Sequence, residues 1–185
     1  MNIPNYLTFL RIILVPFFLS SLIYFDPNQP ATRHWALSIF LAATLTDALD
    51  GFLARRFRWQ TKLGTFLDPF ADKLLLVCGF LGIASSRAFP MAPPLWAVIV
   101  IVFRDLLILG GLAVIFFGTG EITVRPNFLG KMTTFFQMLT IGVILLDWQK
   151  APTIWNITIV LTVASAIVYT IRGFRLLNQH PVSRP

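Results

Sequence analysis

Apolar residues along this chain fall into long unbroken runs, and the breaks between them are short and polar. The runs lie near 7–25, 34–54, 69–87, 93–117, 129–148 and 153–176. Each is close to the roughly 20 apolar residues that a helix needs to cross a bilayer. None alternates with period two, which argues against a barrel of strands. Helical periodicity inside the runs is weak, as it must be in helices apolar on nearly every face. The pattern predicts an all-α polytopic membrane protein with six transmembrane helices, forming one domain over 1–185. The opening MNIPN reads as a short interfacial segment before the first span. It lacks the basic stretch and the small-x-small site of a signal peptide.

Composition agrees with the pattern. Of 185 residues, 56% are hydrophobic and 12% are charged, and the mean hydropathy is +0.75. A soluble domain carries about 25% charged residues. The deficit excludes a disordered chain, a nucleic-acid arm and an ordinary soluble enzyme. The single cysteine, Cys78, sits in an apolar run and excludes both an intrachain disulfide framework and a Cys-rich zinc site. A net charge of +7 then speaks for cytoplasmic loops and anionic membrane lipid, with no nucleic acid among the partners.

Basic residues orient the spans. Arg55, Arg56, Arg58, Lys62, Lys73, Arg125, Lys131, Arg172, Arg175 and Arg184 fall on one side, against Arg33, Arg87 and Lys150 on the other. The rich side is expected to be cytoplasmic, with both termini there. The absence of a transit peptide points to a bacterial plasma membrane.

The acids change the picture most. Four of the eight acidic residues, Asp47, Asp50, Asp68 and Asp72, fall within 26 positions, in or at the edge of apolar helices. A carboxylate at the centre of a membrane helix costs roughly 2.5–3.5 kcal/mol on insertion scales. Asp47 and Asp50 are spaced i,i+3 and Asp68 and Asp72 i,i+4, so each pair shares a helix face. Two consecutive antiparallel spans bring the pairs together at the cytoplasmic end. Four carboxylates repel one another unless cations hold them. Mg²⁺ binds through carboxylates together with substrate phosphate. Two metals bridged by carboxylates suit phosphoryl transfer.

Each residue alone has a plainer explanation. Asp68 before Pro69 reads as an N-cap with proline at the first helical position. Asp47 or Asp50 reads as a salt-bridge partner of Arg55 or Arg56. Gly51 and Gly64 read as helix-packing glycines. Independent explanations for all of them together are improbable.

Asp47-Ala-Leu-Asp50-Gly51-Phe-Leu-Ala54-Arg55, then eight residues, Gly64, three residues, Asp68, three residues and Asp72 resembles the full signature of the CDP-alcohol phosphotransferase family. The stretch Ile3-Pro4-Asn5-Tyr-Leu7-Thr8-Phe-Leu-Arg11-Ile12 is similar to the start of bacterial phosphatidylglycerophosphate synthases in that family. The resemblance implies that an acceptor hydroxyl attacks the β-phosphorus of CDP-diacylglycerol and CMP leaves. It implies two divalent ions, Mg²⁺ or Mn²⁺, on Asp47, Asp50, Asp68 and Asp72, with Asp72 also taking the proton of the attacking hydroxyl. Gly51, Ala54, Arg55, Thr61 and Gly64 would surround the cytidine and diphosphate. Family members are often homodimers packed through transmembrane helices; Gly110-Gly111 and Gly118-x-Gly120 would permit close approach.

A phosphorylated acceptor needs further cations. Arg104, mid-span beside Asp105, reads either as half of a self-neutralising or interhelical ion pair or as the first candidate; Lys131, ordinary as a loop cation, and Arg125 join it in the second reading. Phosphatidylglycerophosphate synthases commonly carry Gly-Lys-x-Lys-Thr where this chain has Gly130-Lys131-Met132-Thr133-Thr134, and Arg-Glu where it has Arg104-Asp105. The favoured acceptor is glycerol 3-phosphate, a small phosphorylated alcohol. The same stretches also resemble the CDP-alcohol type of cardiolipin synthase, whose acceptor is phosphatidylglycerol. A cation or proton transporter is the alternative of another class, but transporters place such acids near the midplane in matching repeats.

Overall fold

The computed structural model describes residues 3–57, 62–86, 88–119 and 128–179. They form six helices and no strand: α1 (Ile3–Ile23), α2 (Pro30–Phe57), α3 (Lys62–Ser86), α4 (Leu95–Thr119), α5 (Phe128–Leu145) and α6 (Ala151–Gln179). The shortest, α5, has 18 residues. At 1.5 Å per residue that is close to the thickness of a bilayer core. Three segments, Tyr6–Ile23, Phe128–Leu145 and Ala151–Ile171, are long and apolar enough to cross a membrane by length and composition.

Local chemistry explains the helix ends. Prolines 30, 93, 94 and 152 stand at the start of α2, just before α4 and in the first turn of α6. A missing N–H is harmless there. At the end of α5, Asp147 takes a positive φ of 55° and the Trp148 N–H donates to the Val143 carbonyl at 3.0 Å. That left-handed step caps the last carbonyls of α5.

Two helix starts differ from the sequence expectation. Ile3, Pro4 and Asn5 are the first turn of α1, continuous with the span and not a separate segment. Proline is tolerated in a first turn, so nothing breaks the helix there. Likewise α3 begins at Lys62, seven residues before Pro69, which lies inside the helix. Asp68 is therefore an interior helical residue and not an N-cap.

Packing centres on α1, which lies against both α2 and α3, while α2 and α3 barely touch each other. The core is built from Phe18 and Leu22 of α1, Phe40 of α2, Leu75, Leu76 and Phe80 of α3, Val98 and Ile101 of α4, and Ile141 and Ile144 of α5. Two glycines of α3 permit this closeness. A Cβ at Gly79 would lie 2.7 Å from Ile141 Cδ1, and one at Gly82 would lie 2.8 Å from Leu22 Cδ1. Helices α5 and α6 form the second closely packed pair. Small polar residues line their seam, where the Thr140 and Thr158 hydroxyls meet at 2.7 Å. Small and hydroxyl side chains let membrane helices approach and bond directly.

Polarity is arranged inside out relative to a soluble domain. Phe17, Trp35, Phe103, Val160 and Ile167 are exposed, whereas Arg11, Lys73, Arg104 and Asp105 are buried. An apolar exterior is stable against lipid, and charges turn inward to find partners. The helix ends carrying residues 24–33 and 147–150 are tied by an Arg33–Asp147 ion pair at 3.3 Å. Phe25 stacks on Phe89 at 4.4 Å nearby. The charged cluster lies toward the other end.

Candidate active site

Charge inside a membrane helix must be neutralised, and the structure shows by what. Arg11 of α1 is fully buried, and its Nη1 lies 2.6 Å from Asp47 Oδ1 on α2. One turn earlier on α1, the Thr8 hydroxyl donates to Asp68 Oδ1 on α3 at 2.6 Å. So α1 supplies a cation to one acid and a hydroxyl to another. The two carboxylate-bearing helices are joined through α1, with little direct packing between them. Arg55 and Arg56, expected as partners of Asp47, have side chains outside the described part. Arg11 was legible as an unexplained cation in an apolar run. Its partner was not, because 36 residues separate it from Asp47.

A second cluster joins α3, α4, α5 and α6. Asp105 is completely buried. Its Oδ1 lies 2.7 Å from Arg104 Nη1 and 3.3 Å from Lys73 Nζ. Its Oδ2 accepts from Gln137 Nε2 at 3.0 Å. Lys73 Nζ also donates to the Thr134 hydroxyl at 2.8 Å, and Arg104 Nη2 donates to the Ser165 hydroxyl at 2.6 Å. The Arg104 guanidinium sits over the Tyr169 ring, 5.6 Å from its centre. Such ion pairs are strengthened by hydrogen bonds to the remaining donors.

Between the two clusters lies a cavity of about 420 Å³. Asp47, Asp72, Lys73, Arg104, Gly130, Lys131, Thr134 and Tyr169 make up the polar part of its wall. Asp72 Oδ1 is buried and has no hydrogen-bond partner among the described residues. A buried carboxylate oxygen without a partner is expensive, unless a cation or a substrate proton meets it. Hard carboxylate oxygens facing a polar cavity fit a divalent ion of the Mg²⁺ type. Among the described residues, no three acidic, histidine or cysteine side chains stand close enough to hold an ion together. The Asp50 side chain lies outside that set.

Other expected site residues divide as follows. Gly51 is described, and a Cβ there would meet nothing within 4 Å among the described residues. Ala54, Arg55 and Gly64 are described as helix only, without side-chain surroundings. Thr61 and Arg125 lie outside the described residues. Lys131 is exposed at the cavity mouth, and Arg104 is buried on its wall. Thr133, where related sequences were expected to carry a second lysine, points away from the cavity. Its hydroxyl bonds the Leu129 carbonyl at 2.8 Å and the Leu161 carbonyl at 3.2 Å.

Lys73 is the main addition. By its charge it counts in the sequence with the cations between the second and third spans. It is a buried helical residue next to Asp72, and it supplies a further cation to the cavity. Its position beside an acid in a helix, one residue past the last aspartate, was the available signal. Thr134, Gln137, Ser165 and Tyr169 gave none, since each is ordinary in an apolar helix.

Comparison with known proteins points the same way as this geometry. The sequence model described as CDP-alcohol phosphatidyltransferase matches residues 1–169. A protein named a probable phosphatidylglycerophosphate synthase, from Mycobacterium tuberculosis (strain ATCC 25618 / H37Rv), is 34% identical over 180 residues, covering 94% of this chain and 82% of the relative. A CDP-diacylglycerol–glycerol-3-phosphate 3-phosphatidyltransferase from Bacillus subtilis (strain 168) is 35% identical over 154 residues, covering 78% and 77%. A probable CMP-forming cardiolipin synthase from Drosophila melanogaster is 34% identical over 203 residues, covering 97% of this chain and 58% of the relative.

Proposed function

The chain belongs to the CDP-alcohol phosphatidyltransferase family, and on that premise we propose that it makes phosphatidylglycerophosphate. It transfers the phosphatidyl group of CDP-diacylglycerol to glycerol 3-phosphate and releases CMP. The observation that carries the acceptor assignment is the mixed lining of the cavity, where Asp47 and Asp72 share the wall with Lys73, Arg104 and Lys131. The acids suit a metal-held diphosphate. The cations suit a second phosphate, the one that glycerol 3-phosphate carries and an uncharged alcohol lacks.

In this reading Asp47, Asp50, Asp68 and Asp72 hold two divalent ions, Mg²⁺ or Mn²⁺. When bound, these offset charge on the phosphoryl oxygens and on the departing CMP oxygen. Thr8 and Arg11 orient the Asp68 and Asp47 carboxylates. Gly51, Ala54, Arg55, Thr61 and Gly64 surround the cytidine and diphosphate, glycine allowing the nucleotide close to the helix backbone. Arg104, Lys131 and Arg125 bind the acceptor phosphate, and Lys73 joins them. Asp72, whose Oδ1 has no hydrogen-bond partner among the described residues, accepts the proton of the attacking glycerol hydroxyl. A bond forms between that oxygen and the β-phosphorus, and the phosphorus–oxygen bond to CMP breaks. The excess of basic residues expected at this end supports a site on the cytoplasmic edge of a plasma membrane. The lipid chains of the donor stay in the bilayer throughout.

Cardiolipin synthesis is the second reading, favoured by the Drosophila relative. The missing second lysine weighs less than the sequence implied, because position 133 faces α6 and Lys73 adds a cation from α3. The deciding experiment supplies CDP-diacylglycerol and Mg²⁺ to purified protein in lipid–detergent micelles. Glycerol 3-phosphate, phosphatidylglycerol, inositol 1-phosphate and serine are offered one at a time, and CMP and the lipid product are measured. CMP release with glycerol 3-phosphate alone is expected. Release only with phosphatidylglycerol would transfer the assignment to cardiolipin synthesis.

A further inference from the structure

Two hollows meet at one residue. The first is the polar cavity. The second is an apolar groove of about 400 Å³ between α4 and α6, lined by Val100, Phe103, Leu107, Val163 and Ile167 among others. Phe103, Leu107, Val163 and Ile167 are exposed on the apolar exterior, where lipid chains run. Arg104 lines both hollows. An arginine suits such a place, having an apolar stem and a charged planar end.

The wall between them is built, not incidental. Arg104 Nη2 is bonded to Ser165 of α6 at 2.6 Å, which ties α4 to α6. One turn further along the same face of α6, the Tyr169 ring lies against the guanidinium at 5.6 Å. Tyr169 lines the cavity and is absent from the groove, whose α6 residues 163, 166, 167, 170 and 171 occupy the neighbouring face. On its far side the ring rests against α5 at Gly130. A Cβ there would stand 2.8 Å from the Tyr169 hydroxyl and 3.4 Å from Cε2. The glycine thus lets the ring reach from α6 to α5 while it covers Arg104.

We propose that Tyr169 is a specificity-determining residue: with Arg104 it partitions the polar cavity from the lipid-facing groove, admitting a compact phosphorylated alcohol and excluding an acceptor that carries acyl chains. The inference rests on the acceptor reading above and deepens it. A glycerol phosphate enters the cavity whole. An acceptor with two acyl chains must leave those chains in the bilayer while its hydroxyl reaches Asp72. The α4–α6 face offers an apolar path for such chains, and the Arg104–Ser165 bond and the Tyr169 ring close it.

The test compares glycerol 3-phosphate and phosphatidylglycerol as acceptors, with CDP-diacylglycerol and Mg²⁺, in wild type, Tyr169→Phe, Tyr169→Ala and Gly130→Ala. Wild type and Tyr169→Phe should keep the preference for glycerol 3-phosphate, since both retain the ring. Tyr169→Ala should raise the ratio of phosphatidylglycerol to glycerol 3-phosphate turnover by about tenfold or more, the scale on which steric fit discriminates substrates. Gly130→Ala should move the ratio the same way, because its methyl group displaces the ring without removing it. A change of less than about twofold in both alanine variants would overturn the partition. If Tyr169→Ala does not fold, Gly130→Ala decides alone. Wild type that prefers phosphatidylglycerol would instead overturn the acceptor reading itself.

Discussion

Replacing Asp105 tests whether charge holds the cation wall of the cavity together. Its carboxylate is the shared acceptor for Arg104 at 2.7 Å, Lys73 at 3.3 Å and Gln137 at 3.0 Å, from three other positions on three helices. In Asp105→Leu, Arg104 keeps Ser165 and Lys73 keeps Thr134, but two buried cations lose their counter-charge. Breaking one side of a buried charge pair costs about 3–5 kcal/mol. Asp105→Asn is milder. Its amide oxygen still accepts from Arg104. Its NH2 group meets Gln137, whose Oε1 has no partner among the described residues and can turn to accept. Only the charge is lost, and the cost is about 1–3 kcal/mol. The assay is an SDS unfolding titration in micelles, followed by the fluorescence of the five tryptophans. Combining Asp105→Leu with Lys73→Met should recover part of the loss, because one orphaned cation is then gone. If Asp105→Leu and Asp105→Asn both lie within about 0.5 kcal/mol of wild type, as surface substitutions do, charge does not hold this wall.

Further outcomes follow from the same geometry. Asp72→Asn should keep the wild-type unfolding midpoint and lose CMP release by at least about a hundredfold, the contribution of a general base. Thr8→Val removes the 2.6 Å bond to Asp68, and the Mg²⁺ concentration for half-maximal activity should rise about tenfold; an unchanged Mg²⁺ requirement would dismiss Thr8 as a positioning residue. Lys131→Ala should raise KM for glycerol 3-phosphate about tenfold with kcat nearly unchanged, the pattern of lost ground-state binding. Gly82→Ala places a methyl 2.8 Å from Leu22 Cδ1 and 2.9 Å from Leu22 Cβ, which cannot swing away without moving α1, and should destabilise by about 1–3 kcal/mol, readable in the same SDS titration.

Much of this protein was determined by residue type and spacing alone. Unbroken apolar runs leave a chain no soluble way to hide them, so a helical membrane protein was legible at once. The aspartate quartet stands out in the sequence for the opposite reason, because charge in an apolar helix is too costly to be incidental. Spacing within one helix is reliable, since backbone geometry places i, i+3 and i+4 on one face. What lies across helices depends on packing, and there only the tertiary structure decided. It placed α1 between the two acid-bearing helices and matched Arg11 and Thr8 to Asp47 and Asp68. It also brought Lys73 to the cavity wall, and joined Asp105 to Gln137. Two grooves meeting at Arg104, and a glycine on α5 that seats a tyrosine from α6, have no trace in either local sequence. The physical reason is that a contact between distant residues is set by how whole helices fit together, and no local pattern encodes that fit.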